Sequence, residues 1–362
     1  MRAESPPDIE MEDAFASWTT KDVDATNGES TEASSEASSE AGSEGFRASI
    51  SVQASPRILR GHKSVVTGVA FSPDGLMVAS RSSDSIIHLW DVESGEVIGK
   101  VKTAGILYGF AFCAQENAIL ILFKPNSDPS RNVVKAMSLS TGLATFHSAV
   151  QGSVCHFASS PDGCTLAAAF NTTTVSLWKT RTAGRVQKIK NHDFKAKRGL
   201  QSIVAIAPDG TMLASGSKEG TIWMWRVATQ RLLYKIEPLD RWIHDLVFAP
   251  DGRTFASSSN DELIINDVST GDEVQSFDCF GMNISSAHFA PDGRTLVSGS
   301  WDRKVRIWDI ESGEQIQKLN GHTGDVYSVA FAPNGRAIVS GSRDRTVLLW
   351  KVVQTNIVED SR

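Results

Sequence analysis

The sequence predicts an all-β protein: a seven-bladed β-propeller of four-stranded antiparallel blades, closed by an N-terminal strand and preceded by a disordered acidic tail. Three observations predict it. A Pro-Asp-Gly or Pro-Asn-Gly turn recurs at Pro73, Pro161, Pro208, Pro250, Pro291 and Pro333, with gaps of 88, 47, 42, 41 and 42 residues. The first gap is two periods of 44, so a copy with an altered turn lies inside it. Seventeen residues after most of these prolines stands a tryptophan, at Trp90, Trp178, Trp225, Trp308 and Trp350. Finally, short apolar runs bracket every turn, as Val69-Ala70-Phe71 and Val329-Ala330-Phe331 do before it and Leu296-Val297-Ser298 does after it.

The chain opens on a segment that cannot build a core. Residues 1–48 hold twelve acidic and three basic residues, so −9 precedes a body of about +3 in a chain of formal charge −6. The run Thr31-Glu32-Ala33-Ser34-Ser35-Glu36 has too little apolar surface to offset ordering, which costs about 1–2 kcal/mol per residue. Residues 1–54 are therefore expected to be a disordered acidic Ser/Glu-rich tail, in which Phe15 and Trp18 could dock as a short peptide. The propeller is expected over 55–353, and a short C-terminal tail over 354–362.

Within a period, the run before the turn, the run after it, the run ending at the tryptophan and a last run such as Gln315–Leu319 make four strands. Turns such as Ser94-Gly95-Glu96 and Ser312-Gly313-Glu314 join the last two. A four-stranded sheet with two apolar faces buries both only by stacking radially on copies of itself. The ring also has a means of closure. The last copy stops at Trp350-Lys351, whereas Pro56-Arg57-Ile58-Leu59-Arg60 is a strand without a blade. Ile58 and Leu59 are expected to pair beside the strand ending at Trp350, which leaves no open edge.

Gly61-His62, Trp90-Asp91, Trp308-Asp309 and Gly321-His322 resemble the Gly-His and Trp-Asp signatures of the WD-repeat family, and the resemblance covers residues 56–352. It implies a buried hydrogen-bonded set of His, Ser/Thr, Asp and Trp in a blade. The set is complete in copies one and seven, as His62, Ser80, Asp84, Trp90 and His322, Ser340, Asp344, Trp350. A Ser-His-Asp catalytic reading is rejected, because the same spacing repeats and no nucleophile turn accompanies it. The other copies depart. Ala168 and Thr172 replace Ser and Asp in copy three, Glu219 replaces Asp in copy four, and Asn266 and Met137 replace Trp in copies five and two. Copy six has no matching His, and copy two carries a long turn over 124–132.

The resemblance also implies that partners bind the narrow top of the ring. That end is built by residues six and eight before each turn proline and by the residue before the blade Asp. Those positions are small or moderately apolar in copies one to four: Val65, Thr67, Ser83; Ile106, Tyr108; Ser153, Cys155, Asn171; Leu200, Ser202, Lys218. Copies five to seven supply Trp242, His244, Asn260; Asn283, Ser285, Trp301; and Asp325, Tyr327, Arg343. Trp, Tyr and Arg dominate interface hot spots because they bury large areas while keeping a polar handle. The expected partner-binding residues are Trp242, His244, Trp301, Asp325, Tyr327, Arg343 and Lys218.

The function expected is a protein–protein interaction scaffold, monomeric within a complex, that takes one or more proteins or peptides on blades five to seven. Two alternatives stand beside it. The run Lys188–Arg198 carries five basic residues, which suits RNA, phosphate, or an acidic or phosphorylated segment, and the acidic tail could fold back over it. Trp178-Lys179-Thr180-Arg181 faintly resembles the Trp-Asp-x-Arg box of ubiquitin-ligase substrate receptors, with Lys in place of the acid. General nucleic-acid binding is not expected, for want of a basic stripe with interleaved aromatics. Nor is an enzyme, a cofactor or a metal: phosphate-loop, His-Glu-x-x-His and nucleophile-elbow motifs are missing, and His156, His244, Asp245 and His288 form no obvious pair. Cys113, Cys155, Cys164 and Cys279 show no C-x-x-C spacing, and there is neither a signal peptide nor an apolar run long enough for a membrane span. A cytoplasmic and/or nuclear setting follows.

Overall fold

A computed structural model describes residues 8–10 and 48–356; its longer interruptions are 180–186, 191–202 and 238–241. The described strands form seven antiparallel sheets. Blade one is Val66–Phe71, Met77–Ser82, Ile86–Asp91 and Val97–Lys102, from the axis outward. Blades two to six repeat this order in the periods beginning at Gly105, Val154, Ile203, Asp245 and Ile284. Blade seven has Val326–Phe331, Ala337–Ser342 and Thr346–Asn356.

The turns explain why these runs pair. The glycine of the Pro-Asp-Gly or Pro-Asn-Gly turn takes a left-handed φ, +74° at Gly75 and +68° at Gly335, which a side chain would resist. Packing then follows from the two apolar faces. Buried side chains gather in seven clusters, and each bridges two neighbouring blades around the ring. The core is therefore seven wedges rather than one centre, and each blade depends on both neighbours.

Closure is as expected and then goes further. Arg57–Arg60 pairs antiparallel with the last strand, Ile58 opposite Leu348 and Leu59 opposite Val347. The last strand, however, continues to Asn356, and Ala48–Val52 pairs with this extension, Val52 opposite Val352 and Ala48 opposite Asn356. Ile50 and Val52 sink into the cluster between blades six and seven, and Val52 exchanges two backbone bonds of 2.9 Å with the Gln317 amide. The segment read as tail over 1–54 thus contains a strand of the ring, and Asn356 carries the ring past 353. The physical reason is plain in Ala48-Ser49-Ile50-Ser51-Val52: the period-two alternation makes a strand although its neighbours are Ser- and Glu-rich. Asp8–Glu10 adds a parallel strand on the outer edge of blade one, with Asp8 opposite Lys100 and Glu10 opposite Lys102. Phe15, Trp18 and the Ser/Glu run lie outside the described residues.

Candidate functional site: the channel mouth and its supporting blades

The polar sets fix the blades. In blade seven Trp350 Nε1–H donates to Ser340 Oγ at 2.9 Å, and that hydroxyl faces His322 Nε2 at 2.8 Å. His322 Nδ1 lies 2.9 Å from Asp344 Oδ2, which also accepts the Thr323 N–H. Blade one repeats the chain: Trp90 to Ser80 at 2.7 Å, His62 Nε2 to Ser80 at 2.7 Å, and His62 Nδ1 to Asp84 at 3.3 Å. Burial works to raise both carboxyls. The imidazole and backbone N–H bonds outweigh it, holding Asp84 down to about 2 and Asp344 well below the usual range. Each serine is fully buried and engaged on both sides, so neither presents a nucleophile.

The departures have identifiable remedies or costs. In blade six Arg306 takes the duty of the absent His: it is buried and pairs with both oxygens of Asp302, while Trp308 donates to Ser298 at 2.8 Å. Asn266 does occupy the tryptophan place in blade five, opposite Phe255, and its amide donates to Gly271 O at 3.2 Å. Met137 fills that place in blade two, opposite Ile119. In blade three Ala168 stands at the serine place, and the buried Trp178 Nε1 has no acceptor among the described residues. Ala168→Ser is expected to supply that acceptor and raise stability by about 1 kcal/mol, read as a higher urea midpoint at unchanged slope. An unchanged or lower midpoint would contradict this account of Trp178. Thr172 lies outside the described residues.

Among the described residues, the expected top positions lie at one end of the ring. Ser83 N–H bonds Val65 O at 3.0 Å, Trp301 N–H bonds Asn283 O at 3.2 Å, and Arg343 N–H bonds Asp325 O at 2.8 Å. A β-bulge puts Thr67, Tyr108, Cys155, Ser285 and Tyr327 out of register on the innermost strands, and so re-aims these side chains. The rim contacts bridge blades five and six. Asn283 N–H bonds Asn260 O at 2.7 Å, His244 Nε2–H donates to Asn260 Oδ1 at 2.5 Å, and the His244 and Trp301 rings lie 5.5 Å apart. Arg343 pairs with Asp325 at 3.2 Å. Trp242 and Trp301 remain 52% and 42% exposed. Ile106 of blade two, at 57%, is also exposed.

Several expected residues lie outside the described part of the chain: Lys218, Ser153, Asn171, Leu200 and Ser202, and 191–198 of the basic run. Lys188 and Lys190 stand in the strand Gln187–Lys190 rather than in a loop, because Ile189 pairs there with Val175. Of the faint ubiquitin-ligase-like box, Trp178 and Lys179 are in the third strand of blade three, and Thr180 and Arg181 are not described.

Beneath the mouth runs a cavity of about 670 Å³ lined by the innermost strands. It gathers His156, His244, Asp245 and His288, which had no evident relation in the sequence. His244 stands six and His288 three before a turn proline, whereas His156 and Asp245 share the position five before it. There, Ser328 Oγ accepts the Val69 N–H at 3.1 Å, Ser286 Oγ the Val329 N–H at 3.3 Å, His156 Nδ1 the Val204 N–H at 3.4 Å, and Asp245 Oδ2 the Ala287 N–H at 2.9 Å. In each case the acceptor reaches the next blade, so these groups clasp blade seams rather than form a catalytic pair.

Burial pushes Asp245 up to about 6, against hydrogen bonds from Ala287, Ser286 and Leu246 that pull it down. The folded value lies above the unfolded 3.8, so the folded chain holds the extra proton and stability falls as pH rises between the two. Asp245→Asn is expected to flatten that segment: the wild-type melting profile should lose about 2 kcal/mol relative to the variant between pH 4 and 6. Parallel profiles would rule Asp245 out as the titrating group.

Residues 47–302 match the family model of the WD repeat-containing protein 75 first beta-propeller, and 313–351 match that of the WD domain, G-beta repeat. The chain belongs to the WD-repeat propeller family. Among curated relatives of this WD-repeat chain, small ribosomal subunit protein RACK1y of Oryza sativa subsp. japonica is 27% identical over 140 residues, 35% of this chain and 38% of that protein. Zinc finger CCCH domain-containing protein 48 of Arabidopsis thaliana is 29% identical over 118 residues, 32% of this chain and 27% of that protein. Small ribosomal subunit protein RACK1 of Medicago sativa is 37% identical over 54 residues, 15% of this chain and 17% of that protein. The chain thus spans well under half the length of the curated relatives it matches.

Proposed function

We propose that this WD-repeat chain is a protein-interaction scaffold that takes a protein or peptide partner on the top rim of blades five, six and seven. The observation that carries the reading is the exposure of Trp242 and Trp301 at one end of the ring, beside a His244–Asn260 bond and an Arg343–Asp325 pair that give the rim polar handles. Exposed aromatics bordered by such groups are the composition of an interface centre. Membership in a repeat family built as a platform supports a binding role, as do relatives named as small ribosomal subunit proteins, which are parts of a larger assembly. None of these relatives bears the name of an enzyme. A cytoplasmic or nuclear setting belongs to the same proposal.

The test is a hydrogen-exchange footprint of the full chain with and without a partner obtained by affinity capture. Protection is expected in the amides around Trp242, Asn260, Asn283, Trp301 and Arg343, with those around Val65, Ser83 and Ile106 unchanged. Protection confined to blades one to three, or to the outer edges, would refute the rim.

A further inference from the structure

The channel wall at blades one to three holds a positive charge that has no ion-pair partner among the described residues. Arg81, on the second strand of blade one, lies across Gly68, where a Cβ would come 2.6 Å from Arg81 Nε. Gly68 is the position that carries a seam-bridging acceptor in blades three, five, six and seven, so its bare backbone opens room for the guanidinium. Arg81 donates to Tyr108 O of blade two and, at 3.4 Å, to Thr67 O. Both acceptors are neutral carbonyls, and among the described residues no carboxylate pairs with it. Burial moves Arg81 down to about 10 with no acid opposing it. Burial and the Arg81 charge together hold His156 down to about 4.

Two neutral donors complete the corner. His156 Nδ1 accepts the Val204 N–H, which places the ring proton on Nε2. Tyr108 brings a phenol that burial keeps protonated. Arg81, His156 and Tyr108 all line the same cavity, and the one carboxylate among its lining residues, Asp245, belongs to blade five and holds the seam to blade six. A partly desolvated guanidinium with spare N–H groups and no counter-charge is complementary to an oxyanion, which it binds through charge-assisted bonds.

We propose that Arg81, His156 and Tyr108 form a site for one oxyanion group, a phosphate or a carboxylate, that enters the channel from the top mouth. A free ion and an acidic side chain of a bound chain present the same chemistry at the site, and the experiment distinguishes the two sources. The site does not rest on the aromatic rim of blades five to seven.

The experiment is calorimetric titration of the full chain with inorganic phosphate and, separately, succinate, at constant ionic strength. Saturable binding of at least one anion is expected for the wild type. Arg81→Gln should weaken it about tenfold or more, Tyr108→Phe about threefold, and Trp242→Ala not at all. Tyr108→Phe removes a single oxygen, so it tests the site even if Arg81→Gln does not fold. N-acetyl-phosphoserine amide binding more tightly than inorganic phosphate would support a side-chain source, and equal or weaker binding a free ion. No saturable binding of either anion, or equal affinity in the wild type and every variant that folds, would overturn the site.

Discussion

A chain lacking residues 1–60 is expected to lose cooperative melting altogether, whereas one lacking 1–47 should melt close to the full chain. The first truncation removes both halves of the clasp, Ala48–Val52 and Arg57–Arg60, from the long last strand. Ile50, Val52 and Leu59 are each less than a tenth exposed, and burying such a side chain is worth about 1.5–3 kcal/mol. Their loss, with that of two strand ladders and the Gln317 bonds, approaches the whole stability of a domain, about 5–15 kcal/mol. It also opens the ring, and each apolar wedge needs a blade on both sides. Among the described residues, the second truncation removes the three-residue pairing of Asp8–Glu10 alone, expected to contribute under about 1 kcal/mol. A 61–362 chain that melts cooperatively within a few degrees of the full chain would show that the clasp does not hold the ring.

Ser340→Ala is expected to cost about 2–4 kcal/mol, and Ser298→Ala about half of that. The difference follows from what each hydroxyl serves. Ser340 accepts from Trp350 and faces His322, so its loss strands two buried polar groups at about 1–3 kcal/mol each. Ser298 serves Trp308 alone, because Arg306 has taken over contact with Asp302 in that blade. Urea midpoints of the two variants measure the contrast. Equal costs would mean that the His322 contact contributes nothing. The order also bears on function, since Asp344 follows directly on Arg343 of the rim and its carboxylate accepts the Thr346 N–H at 3.0 Å, pinning the turn.

How much of this was legible depended on whether the signal was periodic. The turns, the tryptophans and the Ile58–Leu59 closure repeat or complete a repeat, so spacing alone placed them. The Ala48–Val52 strand had an alternating signal as well, but five residues beside a Ser/Glu-rich tail were outweighed by composition. Arg306 was invisible for a different reason: it stands on a strand and replaces an imidazole that blades one and seven supply from a loop, so no alignment on His could find it. The seam acceptors lay in one aligned column, yet that column reads Gly68, Gly109, His156, Ile203, Asp245, Ser286 and Ser328, and its four acceptors are of three residue types. What unites them is a place on the innermost strand that meets the next blade, which is a property of the ring. Arg81 needed one further fact, that the residue across from it is a glycine.

The proposed one-sidedness of the platform is tested most directly by the affinity of a captured partner for single alanine variants. Trp301→Ala and Trp242→Ala are each expected to weaken binding by about thirtyfold, some 2 kcal/mol or more. Ile106→Ala, which removes an equally exposed apolar side chain from the top of blade two, should change it less than threefold. Unaltered affinity in both tryptophan variants, or a larger loss for Ile106→Ala than for either, would contradict the account.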